Sequence, residues 1–201
     1  MDYLKLKFYF DLLFSILGLL LLSPLIILIS ILIKIKLGSP IFFIQKRPGL
    51  KEKLFYLIKF RTMNNRKDKS GKLLNDDMRL TSFGKWLRET SIDEIPTLVN
   101  ILKGEMSFVG PRPLLKEYLN LYSEREKQRH SVKPGLTGLA QIKGRNNITW
   151  KRKFKYDILY VNNLSFGLDL EILLLTFLKV IKREGINPIN QKYVQPFKGH
   201  K

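Results

Sequence analysis

Between Leu12 and Ile33 the chain reads LLFSILGLLLLSPLIILISILI, 22 residues without a charge. That length is enough to cross a hydrocarbon core about 30 Å thick. The stretch is apolar on every face, unlike a helix lying on a soluble core. It is too long for the apolar part of a secretory leader, and no small-residue cleavage site follows it. Membrane residence is therefore expected. Ser23 and Pro24 stand at the middle of the run. Proline lacks an N–H and its ring presses on the preceding turn, so a helix should bend there. The Ser23 hydroxyl is placed to satisfy a carbonyl freed in this way, which matters in lipid. A sharp bend would return the chain to the side it came from. Lys5 and Lys7 precede the run, and Lys34 and Lys36 follow it; cations on both flanks give no vote for a crossing. A kinked spanning helix and a re-entrant one both fit these residues. In either case the basic remainder belongs on the cytoplasmic side.

That remainder is strongly cationic. The 201 residues carry 36 Lys and Arg against 17 Asp and Glu, a formal net charge of +19. An anionic partner is implied: nucleic acid, an acidic membrane surface or a phosphorylated substrate. There is no cysteine, which excludes disulfides and thiolate chemistry. With only two histidines, His130 and His200, a zinc site finds no support.

After Lys36 the composition changes, and the boundary is placed there: residues 1–36 as membrane helix, 37–201 as the soluble domain. Residues 41–45 (IFFIQ) and 54–60 (LFYLIKF) are short β-branched and aromatic runs around a Pro48-Gly49 turn, a hairpin pattern. Residues 64–79 are polar and loop-like. Residues 82–89 (SFGKWLRE) predict a short helix with Phe83, Trp86 and Leu87 on one face. Further helices are expected over about 93–103, 114–129, 149–163 and 168–184, with prolines and glycines making loops of 104–115 and 133–146. Trp150, Phe154 and Tyr160 form a stripe that reads as core. The adjacent Lys151, Arg152, Lys153 and Lys155 make a helix lying at the membrane interface the competing reading. The expected fold is mainly α with a small β-hairpin, a membrane helix and amphipathic interfacial helices.

Asp93 and Glu94 stand side by side in TSIDEIPT (90–97). Ser91 to Glu94 matches a capping box, S-x-x-E. Pro96 favours instead Asp93 as the cap or near it, since proline then falls in the first turn. Two features argue for chemistry beyond capping. Arg88 and Arg112, the latter inside GPRP, flank the pair. A carboxylate at a helix start near arginines has its ionised form favoured, which suits a nucleophile toward phosphorus or a ligand for a hard divalent cation.

Three longer stretches carry a resemblance: RPGLKEKLFYLIKFRTM (47–63), SIDEIPTLVNILKGEMSFVGPRP (91–113) and KPGLTGLAQIKGR (133–145). Together with the Ser-Pro in the apolar helix, they resemble the bacterial sugar transferases, the monotopic phosphoglycosyl transferases, over nearly the whole chain. The resemblance implies transfer of a phosphosugar from a UDP-sugar to a polyprenol phosphate such as undecaprenyl phosphate. UMP would be released, with Mg²⁺ as cofactor and a ping-pong path through a phosphoaspartate. It maps the acidic dyad onto Asp93 and Glu94, with Asp93 as nucleophile and metal ligand, and it implies a re-entrant helix bent at Ser23-Pro24. Arg88 and Arg112 become candidate phosphate clamps, with Lys59, Arg61, Arg79 and Arg145 as further cations for substrate. The implied setting is the lipid of the bacterial inner membrane, with the catalytic domain facing the cytoplasm. The rival reading, a non-enzymatic membrane-anchored protein binding nucleic acid or anionic lipid, satisfies the charge. It leaves the dyad and GPRP unexplained, and no helix-turn-helix or stacking-aromatic motif supports nucleic acid.

Overall fold

The computed structural model describes residues 3–144, 148–182 and 196–199. The apolar run forms one long helix, α1 (Tyr3–Leu37), which contains Pro24. The carbonyl that Pro24 leaves without a helical donor is that of Leu20, four residues back. Ser23 Oγ donates to it at 2.8 Å, so the orphan group is satisfied inside the helix.

One face of α1 is buried in the rest of the protein. Ile29, Ile33 and Leu37 pack with Phe60 and Leu87, while Leu19 and Leu22 lie against a cluster of Phe55, Leu57, Leu98, Ile101 and Met106. Each such buried side chain contributes roughly 1.5–3 kcal/mol. The other face is bare, with Leu20 68%, Leu21 80% and Ile35 75% exposed. The N-terminal turns are held differently. Tyr3 and Lys7 both reach the Asp169 carboxylate, and Asp11 Oδ1 accepts from the Phe108 N–H at 3.0 Å. Both ends of α1 are thus seated on the same folded body.

The expected hairpin is present. Strands β1 (Phe42–Pro48) and β2 (Leu54–Phe60) pair antiparallel, with Phe42 opposite Phe60 and Pro48 opposite Leu54. The polar stretch that follows holds a single helical turn, α2 (Asp76–Arg79). Helix α3 (Ser82–Glu89) has the predicted bounds and is capped by Thr81, whose side chain accepts from the Gly84 N–H. Gly84 lies on the Thr62 backbone so closely that an added Cβ would fall 1.7 Å from its carbonyl oxygen.

The helix expected over about 93–103 is instead a 3-10 helix (Ile92–Thr97) followed by α4 (Leu98–Leu102). Its side chains complete the free edge of β2. Thr97 Oγ1 donates to the Ile58 carbonyl at 2.9 Å, and Asn100 accepts from the Ile58 N–H at 3.0 Å and donates to the Tyr56 carbonyl at 2.7 Å. Thr97 and Asn100 are both fully buried, where unpaired backbone groups would be costly.

The two glycine-proline loops are not plain loops. Three residues from each, β3 (Ser107–Val109) and β4 (Gly135–Thr137), form a parallel ladder. A Cβ on Gly110 would sit 2.4 Å from the Lys133 carbonyl oxygen, and one on Gly135 2.1 Å from the Gly110 nitrogen. The contact requires bare backbone on both sides. The helix expected over 114–129 is broken into a 3-10 segment (Lys116–Leu121), α5 (Glu124–Lys127) with a full Ser123–Glu126 capping box, and a last 3-10 turn. The break drives Tyr118 and Tyr122 into an aromatic cluster with Phe154 and Phe197. A short helix, α6 (Leu139–Ile142), precedes α7 (Trp150–Asn162) and α8 (Phe166–Ile181). Phe154 and Tyr160 are buried and Trp150 stacks on Phe154, so the α7 stripe is core. The exposed apolar face belongs to α8: Phe166, Leu170, Leu173, Leu174, Phe177 and Leu178.

Candidate active site

The dyad follows from a local strain. Helix α3 ends at Thr90, and Ser91 takes a left-handed conformation (φ 56°) before the 3-10 helix begins, an uncommon state for a residue with a Cβ. Ser91 makes no side-chain cap bond, so the capping box does not form, and Asp93 is the second residue of the 3-10 helix, not its cap. The helix-capping explanation of the pair fails because Glu94 is drawn elsewhere. Its Oε1 receives Lys59 Nζ at 2.5 Å and Arg112 Nη2 at 2.8 Å. Lys59 comes from β2, whose neighbouring Ile58 is clamped by Thr97 and Asn100. Arg112 comes from the loop that follows β3.

Asp93 is treated in the opposite way. Among the described residues its carboxylate makes no hydrogen bond and no ion pair. Burial, then the adjacent Glu94 charge, push its pKa up to about 6 against the pull of Lys59, Arg112 and Arg88. For Glu94 burial also acts upward, but Arg112 and Lys59 outweigh it and hold the carboxyl well below the usual range. The favoured ionised form expected of the pair is therefore a property of Glu94 alone.

Both acids line a cleft of about 1760 Å³, together with all five described cations predicted for substrate. The geometry separates these cations. Arg88 spends Nε on Thr62 Oγ1 at 2.9 Å, and its remaining nitrogens have no partner among the described residues. Arg112 and Lys59 are tied to Glu94. Arg61 is committed to backbone, donating to the Leu37 and Ser39 carbonyls at 2.6 and 2.8 Å, where it closes the end of α1. Arg79 donates to the Asn64 carbonyl at 3.0 Å and faces Asp76 at 3.5 Å. Arg145 lies outside the described residues. Among the described residues three cations, Lys59, Arg88 and Arg112, thus surround two carboxylates, leaving one positive charge in excess beside the unengaged Asp93.

One supporting group escapes a sequence reading. Arg129 forms a buried ion pair with Asp157 at 2.8 Å and donates from the same Nη2 to the Arg112 carbonyl at 2.7 Å. In EREKQRH (124–130) it looks like one more solvated charge, and no local pattern announces a partner 28 residues away.

The cleft gathers cations around a carboxylate with no partner among the described residues, on a domain seated against a long apolar helix, an arrangement suited to phosphorylated substrates at a membrane. The family comparison is specific: residues 2–183 match the model of the bacterial sugar transferases, and the chain belongs to that family. It is 52% identical to the uncharacterized sugar transferase EpsL of Bacillus subtilis (strain 168), over 96% of each chain. It is 37% identical to a UDP-glucose:undecaprenyl-phosphate glucose-1-phosphate transferase of Xanthomonas campestris pv. campestris, over 85% of this chain and 38% of that one. It is also 36% identical to an undecaprenyl-phosphate galactose phosphotransferase of Salmonella typhimurium, over 90% of this chain and 41% of that one.

Proposed function

We propose that this protein transfers the sugar phosphate of a UDP-sugar to undecaprenyl phosphate, releasing UMP, through a covalent intermediate on Asp93. The observation that carries this reading is the split dyad. Glu94 is neutralised by two cations, while Asp93 has no partner among the described residues.

Arg88, Arg112 and Lys59 would bind the donor's pyrophosphate, their charge balancing what the phosphates bring. An Asp93 oxygen attacks the sugar-bearing phosphorus, and the bond from that phosphorus to the oxygen of UMP breaks. Undecaprenyl phosphate then attacks the same phosphorus, freeing Asp93 and forming the lipid diphosphate sugar. A carboxylate whose pKa lies near 6 is ionised at neutral pH yet more basic than a free aspartate, which favours attack. Glu94 holds Lys59 and Arg112 in place. Among the described residues no three acids or histidines gather to enclose a metal. A lone free carboxylate beside a phosphate site does fit Mg²⁺, which takes one or two protein carboxylates and fills its sphere with phosphate and water. Asp93 would hold it, and the ion would neutralise charge on the pyrophosphate.

The test is to incubate the protein with a UDP-sugar labelled in the sugar, without acceptor. Label should stay with the protein after denaturation, one UMP should appear per enzyme, and undecaprenyl phosphate should discharge the label. UMP release only when acceptor is present would mean a single direct displacement.

The membrane arrangement follows the same reasoning. The two ends of α1 are seated on one body, by Lys7 and Asp11 at one end and by Ile33 and Leu37 at the other. This supports a helix that dips into the inner membrane and returns to the cytoplasmic side. A Leu4→Cys protein should resist a membrane-impermeant maleimide in intact cells. Replacing Ser23 and Pro24 with Leu should expose that cysteine in part of the population. Full labelling without that replacement would mean a spanning helix.

A further inference from the structure

One wall of the cleft carries the uncharged Thr137, Gln141 and Thr176, with Lys179 one turn of α8 beyond Thr176. Both amide atoms of Gln141, Oε1 and Nε2, are shut off from solvent and have no hydrogen-bond partner among the described residues. Buried polar groups are nearly always paired, and an amide left open at both ends calls for something that arrives to pair it. The threonine protons have a fixed direction. Thr176 Oγ1 donates to the Ile172 carbonyl at 2.7 Å, and Thr137 Oγ1 lies 2.7 Å from Thr176 Oγ1. Thr137 must therefore donate to Thr176, which leaves the Thr137 oxygen free only to accept. These three side chains offer two N–H donors, one carbonyl and one hydroxyl acceptor, none of them charged.

This wall is rigidly tied to the phosphate end. The Gly110 N–H donates to the Thr137 carbonyl at 2.9 Å, and Arg112 stands two residues beyond Gly110. Gly138 permits the approach: a Cβ there would lie 2.2 Å from the Gly110 oxygen and 3.0 Å from Gln141 Oε1. Phosphates belong on the cations. A neutral edge that both donates and accepts belongs on Gln141 and Thr137.

We propose that Gln141, with Thr137, reads an uncharged hydrogen-bonding edge of the nucleotide-sugar donor, either the hydroxyl or acylamino groups of the sugar or the imide of the base. This rests on the reaction proposed above. Gln141 is then a specificity residue that binds the donor and takes no part in the displacement.

The test compares wild type with Gln141→Leu across several UDP-sugars, measuring kcat, KM, inhibition by UMP and the thermal midpoint. Leucine removes the amide at similar volume, so in the free protein the midpoint should hold or rise. KM should increase about tenfold, the value of one or two lost hydrogen bonds, with kcat changed far less. If UMP inhibition is untouched and the ranking of sugars shifts, the edge belongs to the sugar. If UMP inhibition weakens in step with KM, it belongs to the base. Thr137→Val should move the same constant in the same direction. Unchanged KM and UMP inhibition in folded Gln141→Leu would overturn the proposal, leaving the amide to water. A clear fall in the midpoint would overturn it too, because the amide would then be satisfied without substrate. Wild-type protein that releases no UMP from any UDP-sugar would instead overturn the reaction itself.

Discussion

Two clusters of arginine and carboxylate lie within one hydrogen bond of each other and are built on opposite terms. In the Arg129–Asp157 pair both side chains are 2% exposed, Nε and Nη2 both meet one carboxylate oxygen, and the charges cancel. Around Glu94 the count is uneven. One oxygen serves Lys59 and Arg112, Arg88 waits nearby, and Asp93 has no partner among the described residues. The first cluster is closed and holds the Arg112 backbone still; the second is open and leaves one cation's charge unbalanced among the described residues. Removing one member of a closed buried pair strands a charge, whereas removing the free member of an open cluster strands nothing. That difference separates a closed structural ion pair from a cluster with charge to spare.

The largest effect should come from Asp93→Asn. UMP release should fall by about a thousandfold or more, read in a single-turnover assay. Stability should move the other way. An acid whose pKa rises on folding, here from 3.8 to about 6, weakens the fold when ionised, so above pH 6 the amide should stabilise by up to about 3 kcal/mol. Denaturant melts at pH 7.5 check this, and a loss of stability would show Asp93 to be engaged structurally after all.

Arg129→Met should produce the converse, a loss of about 3–5 kcal/mol from the stranded Asp157. Most of it should return in the Arg129→Met, Asp157→Leu double variant, in which no charge is buried. Because the Arg112 carbonyl loses its donor in both, activity should remain depressed in the double variant. Full recovery of turnover would show that the closed pair does not frame the open one.

The finest test is pH. In the proposed mechanism protonated Asp93 cannot attack, so kcat/KM should drop about tenfold per unit below pH 6, at fixed metal concentration. Glu94→Gln removes the like charge and releases Lys59 and Arg112, both of which favour ionised Asp93. The acid limb should then move to lower pH even as overall activity falls. A limb that stays in place would assign it to another group.

What could be read from the sequence were the parts whose causes are local. The apolar run of α1 needs no partner to be apolar, Pro24 and the hydroxyl that compensates it are adjacent, and the β1–β2 hairpin and α3 are patterned within their own residues. The dyad was legible as a pair, but its division of labour was not. The S-x-x-E spacing points to capping, whereas Glu94 is claimed by Lys59, 35 residues away, and by Arg112, 18 residues away. The three-residue ladder of β3 and β4 is too short to show a period, and its evidence lies in glycines that look like loop formers until their neighbours are known. The region 114–129 reads as one charged helix because its two tyrosines do not reveal the aromatic cluster that pulls the chain out of register.

The Asn100 side chain meets β2 as a third strand would, taking the Ile58 N–H and giving to the Tyr56 carbonyl. Its second use of the amide, toward Glu105 at 2.7 Å, links that edge to the turn after α4. Hairpin and helix are thereby joined by polar bonds that break together, so they should open as one cooperative unit on the timescale of amide exchange. Lys59 rides on that unit. The position of the cation that steadies Glu94 is in this sense a matter of kinetics as well as geometry: it persists as long as Thr97 and Asn100 hold the strand edge against breathing.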